Sequence, residues 1–434
     1  MEQSVVRVGI LGCGTVGAAL VQLIGEHGDT IAARSGARLE VVRVAVHDVT
    51  RPRPVSLANG VLTTDADALV SDPDVDVVVE LIGGMEPARR LIRSALEAGK
   101  PVITANKEVI ASAGAELVQV AAKAGVGLLY EAAVAGAIPL LRPLRESLAG
   151  DRLRRVMGIV NGTTNYILTR MTEGGGTFAD ALAEAQALGY AERNPTADVE
   201  GWDAAAKAAI IASVAFGVAV VADDVYCEGI TGVTPEDIVM AGRLGYVIKL
   251  LAVVEAVGDP HGGPGEVAVR VHPAMVPNDH PLAAVRDSFN AVFVEGAASG
   301  ELMFYGRGAG GRPTASAVLG DLVDAAVNLR QGTAPSPAGL VPARIRPIDE
   351  LNSQYYLTID VVDRPGVLEK VAGATARHGV SILKMEQLGL GDEARLVLVT
   401  HMAAERDVQA TLTDLRQLDD VDRVGTLLRV IGRE

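Results

Sequence analysis

The stretch VVRVGILGCGTVGAALVQLI, residues 5 to 24, decides the fold. It runs from a β-branched apolar segment into Gly12-x-Gly14-x-x-Gly17 and on into a helix-period pattern. In that setting the first glycine permits a tight turn, the second lets backbone approach a pyrophosphate, and the third lets helix and strand pack closely. The helix N-terminus adds a positive pole. A glycine turn that binds nothing is the plain alternative. Its place at the head of a strand–helix–strand array favours dinucleotide binding by Gly12, Gly14, Thr15, Val16 and Gly17.

Outward from this turn, VVRVGIL, LEVVRVAV, VDVVVELI, PVITANK and GLLYEAAV read as strands separated by helix-length segments such as 87–98. Alternation of this kind implies an α/β fold with a parallel sheet covered by helices. Residues 1–137 are thus expected to form a Rossmann-like dinucleotide-binding domain. From 138 to 305 the pattern shifts to Ala-rich helices and then to strand-like EVAVRVHP and NAVFVEG, a central α+β domain for substrate and dimerisation. Residues 306–330 join a glycine-rich loop to a helix. Residues 331–350, rich in Pro and small side chains, read as a linker. Residues 351–434 follow the order β-α-β-β-α-β, a ferredoxin-like domain. Few contacts are expected to cross that linker.

The chain has 434 residues, too many for one ordinary core. Its formal charge of -15 argues against general affinity for nucleic acid or anionic membranes, which leaves small metabolites as partners. Two cysteines, Cys13 and Cys227, are too few for a disulfide framework and fit a reducing compartment. The N-terminus lacks a basic leader and cleavage site, so a cytoplasmic location is expected. The uncharged run Ala208 to Ala222 falls short of the roughly 20 residues that span a bilayer and reads as a buried helix.

The second strand ends in His47-Asp48, with Arg51 and Arg53 beyond it. An acidic residue there suits the free ribose of NAD, whereas basic groups suit the 2′-phosphate of NADP. With Asp48 one step past the ribose, His47, Arg51 and Arg53 favour NADP, with NAD tolerated. The alternative is a solvated basic loop.

A second decisive run is YAERNPTADVEGWDAAAK, residues 190–207. Asp203 and Lys207 lie four apart and share one face of a helix. Glu192 and Asp198 come from the segment leading in, where Pro195 keeps its predecessor extended. On spacing alone, a salt bridge at a helix start explains this as well as catalysis does.

The run Gly189-Tyr190-Ala191 through Asn194-Pro195, Asp198-Val199, Gly201, Asp203 and Lys207 resembles the signature of homoserine dehydrogenases. TANK (104–107), YEAAVAGAIP (130–139) and NGTTNYIL (161–168) resemble the same family, so the likeness spans the chain. It implies NAD(P)H-dependent reduction of L-aspartate 4-semialdehyde to L-homoserine. Carried over, it makes Lys207 the acid/base, Asp203 its orienting partner and Lys107 a contact to substrate and nicotinamide. Glu192 would hold the substrate's amino group, with Asp198, Gly189 and Tyr190 completing the substrate set. The resemblance, rather than spacing, adds Ile82, Gly83, Thr104 and Gly306 to the expected cofactor contacts. GRGAGGRPTASA (306–317) resembles the family's glycine-rich segment near the cofactor, which implies that the helix joined to it returns to the first domain. The likeness also implies a structural monovalent cation, Na⁺, held by the carbonyls of Glu131, Val134, Gly136 and Ile138.

DRPGVLEKVAGATARHGVSI (363–382) resembles the ACT family. That implies an amino-acid effector, L-threonine for this pathway, at Asp363, Pro365, Gly366 and Val367; a dimerisation module without ligand is the alternative. A homodimer is expected, with an ACT-mediated homotetramer also open. Two rival readings remain. Another ACT-containing dehydrogenase, such as a phosphoglycerate dehydrogenase, would place its cofactor domain mid-chain, and a non-catalytic dinucleotide and amino-acid sensor would need no lysine among carboxylates.

Overall fold

The computed structural model describes residues 4–258, 266–334, 339–389 and 393–432, so residues 335–338 of the expected linker lie outside the described residues. The N-terminal region alternates β1 (Ser4–Leu11), α1 (Thr15–Ser35), β2 (Ala37–Ala45), β3 (Leu62–Thr63), α2 (Ala66–Ser71), β4 (Val77–Glu80), α3 (Ala88–Glu97), β5 (Val102–Thr104), α4 (Lys107–Ala124) and β6 (Leu128–Leu129). All six strands are parallel, in the order β3-β2-β1-β4-β5-β6. The order reverses between β1 and β4, which opens a crevice at their carboxyl ends. Both faces are buried: Ile10, Val77 and Val79 pack toward α1, while Leu11, Val78 and Val102 pack with Leu91, Ile92 and Leu117 of α3 and α4.

GLLYEAAV is not the strand its composition suggests. Only Leu128–Leu129 pairs in the sheet, and Glu131–Ala133 forms a 3-10 turn. The reason is Glu131, whose buried carboxylate accepts the amides of Leu140, Leu141 and Arg142 while its own amide donates to Asp321. Those bonds require a compact loop, because a buried carboxylate must be satisfied.

The central region contains β7 (Leu153–Ile159), α5 (Gly162–Gly174), α6 (Phe178–Ala187), α7 (Thr196–Val199), α8 (Trp202–Phe216), β8 (Val218–Ala219), β9 (Tyr226–Cys227), α9 (Pro235–Leu244), β10 (Tyr246–Ala256), β11 (Glu266–Pro277), β12 (Phe289–Gly296) and β13 (Gly300–Arg307). Here β13-β12-β7-β10-β11 form an antiparallel array. The Ala-rich helix α8 buries Ala204, Ala205, Ala206, Ala208, Ala209 and Ala212 together with Ile210 and Ile211, so it is an interior helix rather than a surface one. α10 (Gly311–Gln331) then returns to lie beside α1, with Ala315, Val318, Leu322 and Ala325 in the same core as Ile10 and Leu20.

The C-terminal region contains β14 (Val341–Pro342), β15 (Arg344–Ile345), β16 (Asn352–Val362), α11 (Val367–Arg377), β17 (Ile382–Gly389), β18 (Glu393–Thr400), β19 (Ala403–Ala404), α12 (Glu405–Leu415) and β20 (Val421–Val430). The expectation of a loosely tethered tail is overturned. β20 pairs with β11 at Ala274↔Arg429 and Met275↔Val430, which makes one sheet continuous across both regions. Even the Pro-containing linker is stitched down, β14 to β8 and β15 to β11. Pro is compatible with such pairing at a sheet edge, where its missing N–H is not needed. Thr426 and Tyr356 also reach the buried Asp237 of α9, at 2.8 and 3.5 Å. Beside them lies a cavity of about 290 Å³ bordered by Arg243, Tyr356, Arg395 and Arg423, with none of the expected catalytic groups.

Among the described residues no helix is long and apolar enough to cross a membrane.

Candidate active site

Lys107 is the first residue of α4, placed by the turn after β5 in which Asn106 caps the helix by accepting the Val109 amide. Asp203 sits in the first turn of α8, and Lys207 one turn further. The two helices bring these side chains together: Lys207 Nζ lies 2.6 Å from Asp203 Oδ2, and Lys107 Nζ 3.1 Å from Asp203 Oδ1. One buried carboxylate therefore bridges two ammonium groups, one oxygen to each. Lys207 also donates to the Val160 carbonyl at 2.7 Å. An ammonium has three donors, which leaves one for a ligand.

Asn161 was not assigned a role from the sequence, although NGTTNYIL contains it. It caps α5 by accepting the Thr164 amide, and its Nδ2 donates to Asp198 at 2.6 Å and Asp203 at 2.8 Å. Its carboxamide thus holds two carboxylates side by side. Burial would raise the Asp203 carboxyl, but the ammonium groups of Lys207 and Lys107 hold it well below the usual carboxylate range. Burial pushes Asp198 up, against the Asn161 hydrogen bond. For Lys107, burial disfavours the charge, but Asp203 more than offsets it and raises its pKa.

These groups line one cavity of about 530 Å³ with Gly189, Tyr190, Gly136, Asn290 and Gly308. Glu192 is not among its lining residues. It is exposed in the loop before α7, where its carbonyl accepts Gln186 Nε2.

At the other end of the crevice the glycine turn has the expected geometry. Gly12 has φ +98°, and a Cβ there would lie 2.6 Å from the Leu81 carbonyl; a Cβ at Gly17 would lie 2.3 Å from the Gly12 carbonyl. Beside Gly14 there is open space, no side chain caps α1, and its first turn carries no acid. Among the described residues no carbonyl takes the amides of Thr15, Val16 or Gly17, and the residues fit a dinucleotide pyrophosphate.

His47 and Arg51 are exposed and Arg53 is half-buried. Asp48 is held by Thr50, whose hydroxyl and amide it accepts, while Arg53 donates to the carbonyls of Asp48 and Arg51. Ile82 and Gly83 follow Glu80, whose buried carboxylate accepts both their amides. Two expected cofactor contacts sit differently. The Thr104 side chain is fully buried and spent on Glu80 and the Asn106 amide, so it supports the loop from beneath. Gly306 packs against Ile138, and in this loop it is Gly308 and Gly310 that line the cavity.

The expected cation loop is buried and sharply turned, with left-handed backbone at Ala135 (φ 57°) and Gly136 (φ 56°). Among the described residues no backbone amide is paired with the carbonyls of Val134 or Gly136. Unpaired buried carbonyls suit a hard cation, so the loop fits one. In the C-terminal turn Asp363, Pro365 and Gly366 are exposed and Val367 is buried, with Gly366 at φ +91°. Arg364 and Lys370 beside it are both drawn to the side chain of Asp420.

A parallel nucleotide-binding sheet opening onto two lysines that share a carboxylate defines a dinucleotide-dependent dehydrogenase. The family model described as homoserine dehydrogenase matches residues 139–323, that of its NAD binding domain residues 12–131, and that of the ACT domain residues 355–420. The homoserine dehydrogenase of Corynebacterium glutamicum is 50% identical over 428 residues, covering 98% of this chain and 96% of its own. That of Mycobacterium tuberculosis H37Rv is 50% identical over 438 residues, covering 99% of each. The crystal structure of a homoserine dehydrogenase from Thiobacillus denitrificans superposes with a TM-score of 0.93 at 39% identity, over 99% of this chain and 100% of that one. A hyperthermophilic archaeal homoserine dehydrogenase in complex with NADPH covers 75% of this chain and 98% of its own at a TM-score of 0.63 and 29% identity. The chain belongs to the homoserine dehydrogenase family, NAD(P)-dependent oxidoreductases acting on a CH–OH group, and it carries a C-terminal ACT domain.

Proposed function

We propose that the cavity reduces L-aspartate 4-semialdehyde to L-homoserine, reversibly, with NADP preferred and NAD tolerated. The observation that supports this most is Asp203 held between the ammonium groups of Lys107 and Lys207. When bound, the reduced nicotinamide supplies the hydride to the aldehyde carbon. The negative charge that develops on the aldehyde oxygen is met by the unspent donor of Lys207, which passes a proton to it and is reprotonated from solvent. Lys107 adds a second positive charge at the cofactor side. Asp203, fixed by Asn161, keeps both lysines aimed. Asp198 already faces the cavity for the substrate's ammonium, with Gly189 and Tyr190 beside it, whereas Glu192 must turn in from its loop to share that task. Oxidation of L-homoserine with NADP⁺, followed at 340 nm, tests the assignment, and a wild-type protein without turnover overturns it.

The carbonyls of Glu131, Val134, Gly136 and Ile138 are assigned to Na⁺, which would fix the loop between the two domains. For the coenzyme, Arg51 and Arg53 are assigned to the 2′-phosphate, next to His47. A charged contact of this kind is worth about 1.5–3 kcal/mol. Replacing both arginines with alanine is therefore expected to shift the NADP/NAD preference about tenfold or more toward NAD, measured as the ratio of kcat/KM values. Equal loss for both coenzymes sinks the contact.

The ACT domain is assigned L-threonine at Asp363, Pro365, Gly366 and Val367, and the assembly a homodimer or homotetramer. Gly366→Asp should abolish inhibition by millimolar threonine while homoserine oxidation persists, because it sets a carboxylate where the effector's own would meet the turn amides. Gly366→Asn is the control. Both side chains tolerate positive φ, so inhibition retained by Asn and lost by Asp isolates the charge.

A further inference from the structure

Asn290 of β12 is 1% exposed and lines the catalytic cavity, yet among the described residues its carboxamide makes no hydrogen bond, and its Oδ1 is buried without a partner. Buried polar groups are nearly always paired, because an unpaired one forfeits its hydration for nothing. Nearby, Asn161 donates to Asp198 and Asp203, and Thr163 donates to the Tyr190 carbonyl. Among the described residues that line the cavity, Asn290 Oδ1 is the side-chain acceptor buried without a partner.

Its placement narrows what the acceptor serves. Asn290 follows Phe289 on β12 and pairs across with Gly306; the next residue, Ala291, pairs with Ile159, one before the Val160 whose carbonyl takes Lys207. The face of its carboxamide lies under Gly308, where a Cβ would come within 2.1 Å of the amide carbon and nitrogen. The same loop continues to Gly311, where a Cβ would come within 2.9 Å of the Thr15 methyl in the glycine turn. Asn290 therefore sits where a short loop links the pyrophosphate turn to the catalytic lysine, at the reacting end of the crevice.

We infer that the Asn290 carboxamide is a binding residue that accepts a hydrogen bond from an N–H of the bound ligands, either the carboxamide of the nicotinamide or the α-ammonium of the substrate. The inference rests on the dehydrogenase reading of the same cavity and deepens it. It also accounts for Gly308: any side chain there would displace the amide.

The test uses the full-length protein with Asn290→Ala, and Asn290→Ser should the alanine variant not fold. Any loss of thermal stability should be confined to the small hole left by this buried side chain, since among the described residues it makes no hydrogen bond. Either the NADPH Kd by fluorescence or the homoserine KM should rise at least about tenfold, the scale of one lost hydrogen bond to a charged or well-aligned group. The 3-acetylpyridine analogue of NADP⁺, which replaces the carboxamide by a methyl ketone, separates the two donors. If the nicotinamide is the donor, the wild type discriminates against the analogue and the variant does not. If the substrate ammonium is the donor, the variant raises the homoserine KM and keeps the wild-type coenzyme ratio. Unchanged Kd and KM, with or without a fall in stability, overturn the inference and leave Asn290 as packing. Failure of the wild type to oxidise homoserine would instead strike the parent reading, so the two failures are distinct.

Discussion

Lys207→Ala is expected to lower kcat by about 10² to 10⁴ with NADPH binding nearly unchanged, the range for loss of a positioned general acid. The ammonium contacts Asp203 and the Val160 carbonyl, whereas the glycine turn that faces the pyrophosphate lies across the crevice on α1. The variant still places Lys107 on Asp203, so the carboxylate is not left without a cation. Single-turnover and steady-state rates, with NADPH titrated by fluorescence, measure the split between chemistry and binding. A variant that keeps about a third of wild-type kcat would reduce Lys207 to an ordinary salt bridge at a helix start. Lys207→Arg sharpens the test: it keeps the charge but cannot readily release a proton, so it should stay close to the alanine level.

The parts of this site legible in the sequence were those with local grammar. Gly12, Gly14 and Gly17 declare a turn because three backbone demands coincide within six residues, and Asp203 with Lys207 declares a shared helix face because their spacing is one turn. Lys107 and Asp203 carry no such mark for each other. They meet only because the carboxyl end of β5 and the N-terminus of α8 converge, a tertiary event that no periodicity encodes. Asn161 was hidden for another reason: an asparagine before a helix reads as a cap, and its amide oxygen does cap α5, while its nitrogen also holds the carboxylates of Asp198 and Asp203. The strand expected at GLLYEAAV failed because β-propensity ignores the Glu131 carboxylate, which needs three amides and bends the chain to reach them. The docking of the ACT domain failed to register because edge pairing depends on backbone groups that every residue shares.

That docking predicts the other large effect. Arg429→Ala is expected to destabilise the protein by about 3–5 kcal/mol, the cost of removing one partner from a buried ion pair. Arg429 on β20 is 3% exposed, and its guanidinium lies 2.9 Å from Glu405 of α12 and 2.9 Å from Glu228, with the Tyr226 ring 5.1 Å beneath it. Burial disfavours its charge, but these neighbours outweigh burial and raise its pKa further. Without it, the Glu405 carboxylate is buried with, among the described residues, the Tyr355 hydroxyl and Gln409 as its remaining side-chain partners. Glu405→Gln in the same chain removes that stranded charge and should restore part of the loss, which distinguishes an ion-pair effect from a packing hole. Under the proposed threonine inhibition, the position also bears on signalling between domains. Glu228 belongs to the segment after β9 that rests on the α7–α8 turn, where Ile230 donates to the Val199 carbonyl and a Cβ on Gly229 would lie 2.3 Å from it. Asp198 and Asp203 flank that turn, on α7 and α8. A chain whose latch is cut should therefore retain homoserine oxidation below its lowered melting point and require more threonine for half-inhibition, read from denaturant midpoints and inhibition curves on the same preparation. Wild-type stability in Arg429→Ala would mean that the ion pair merely breaks even against its desolvation, and the ACT domain would then be held by the β11–β20 pairing and its apolar contacts alone.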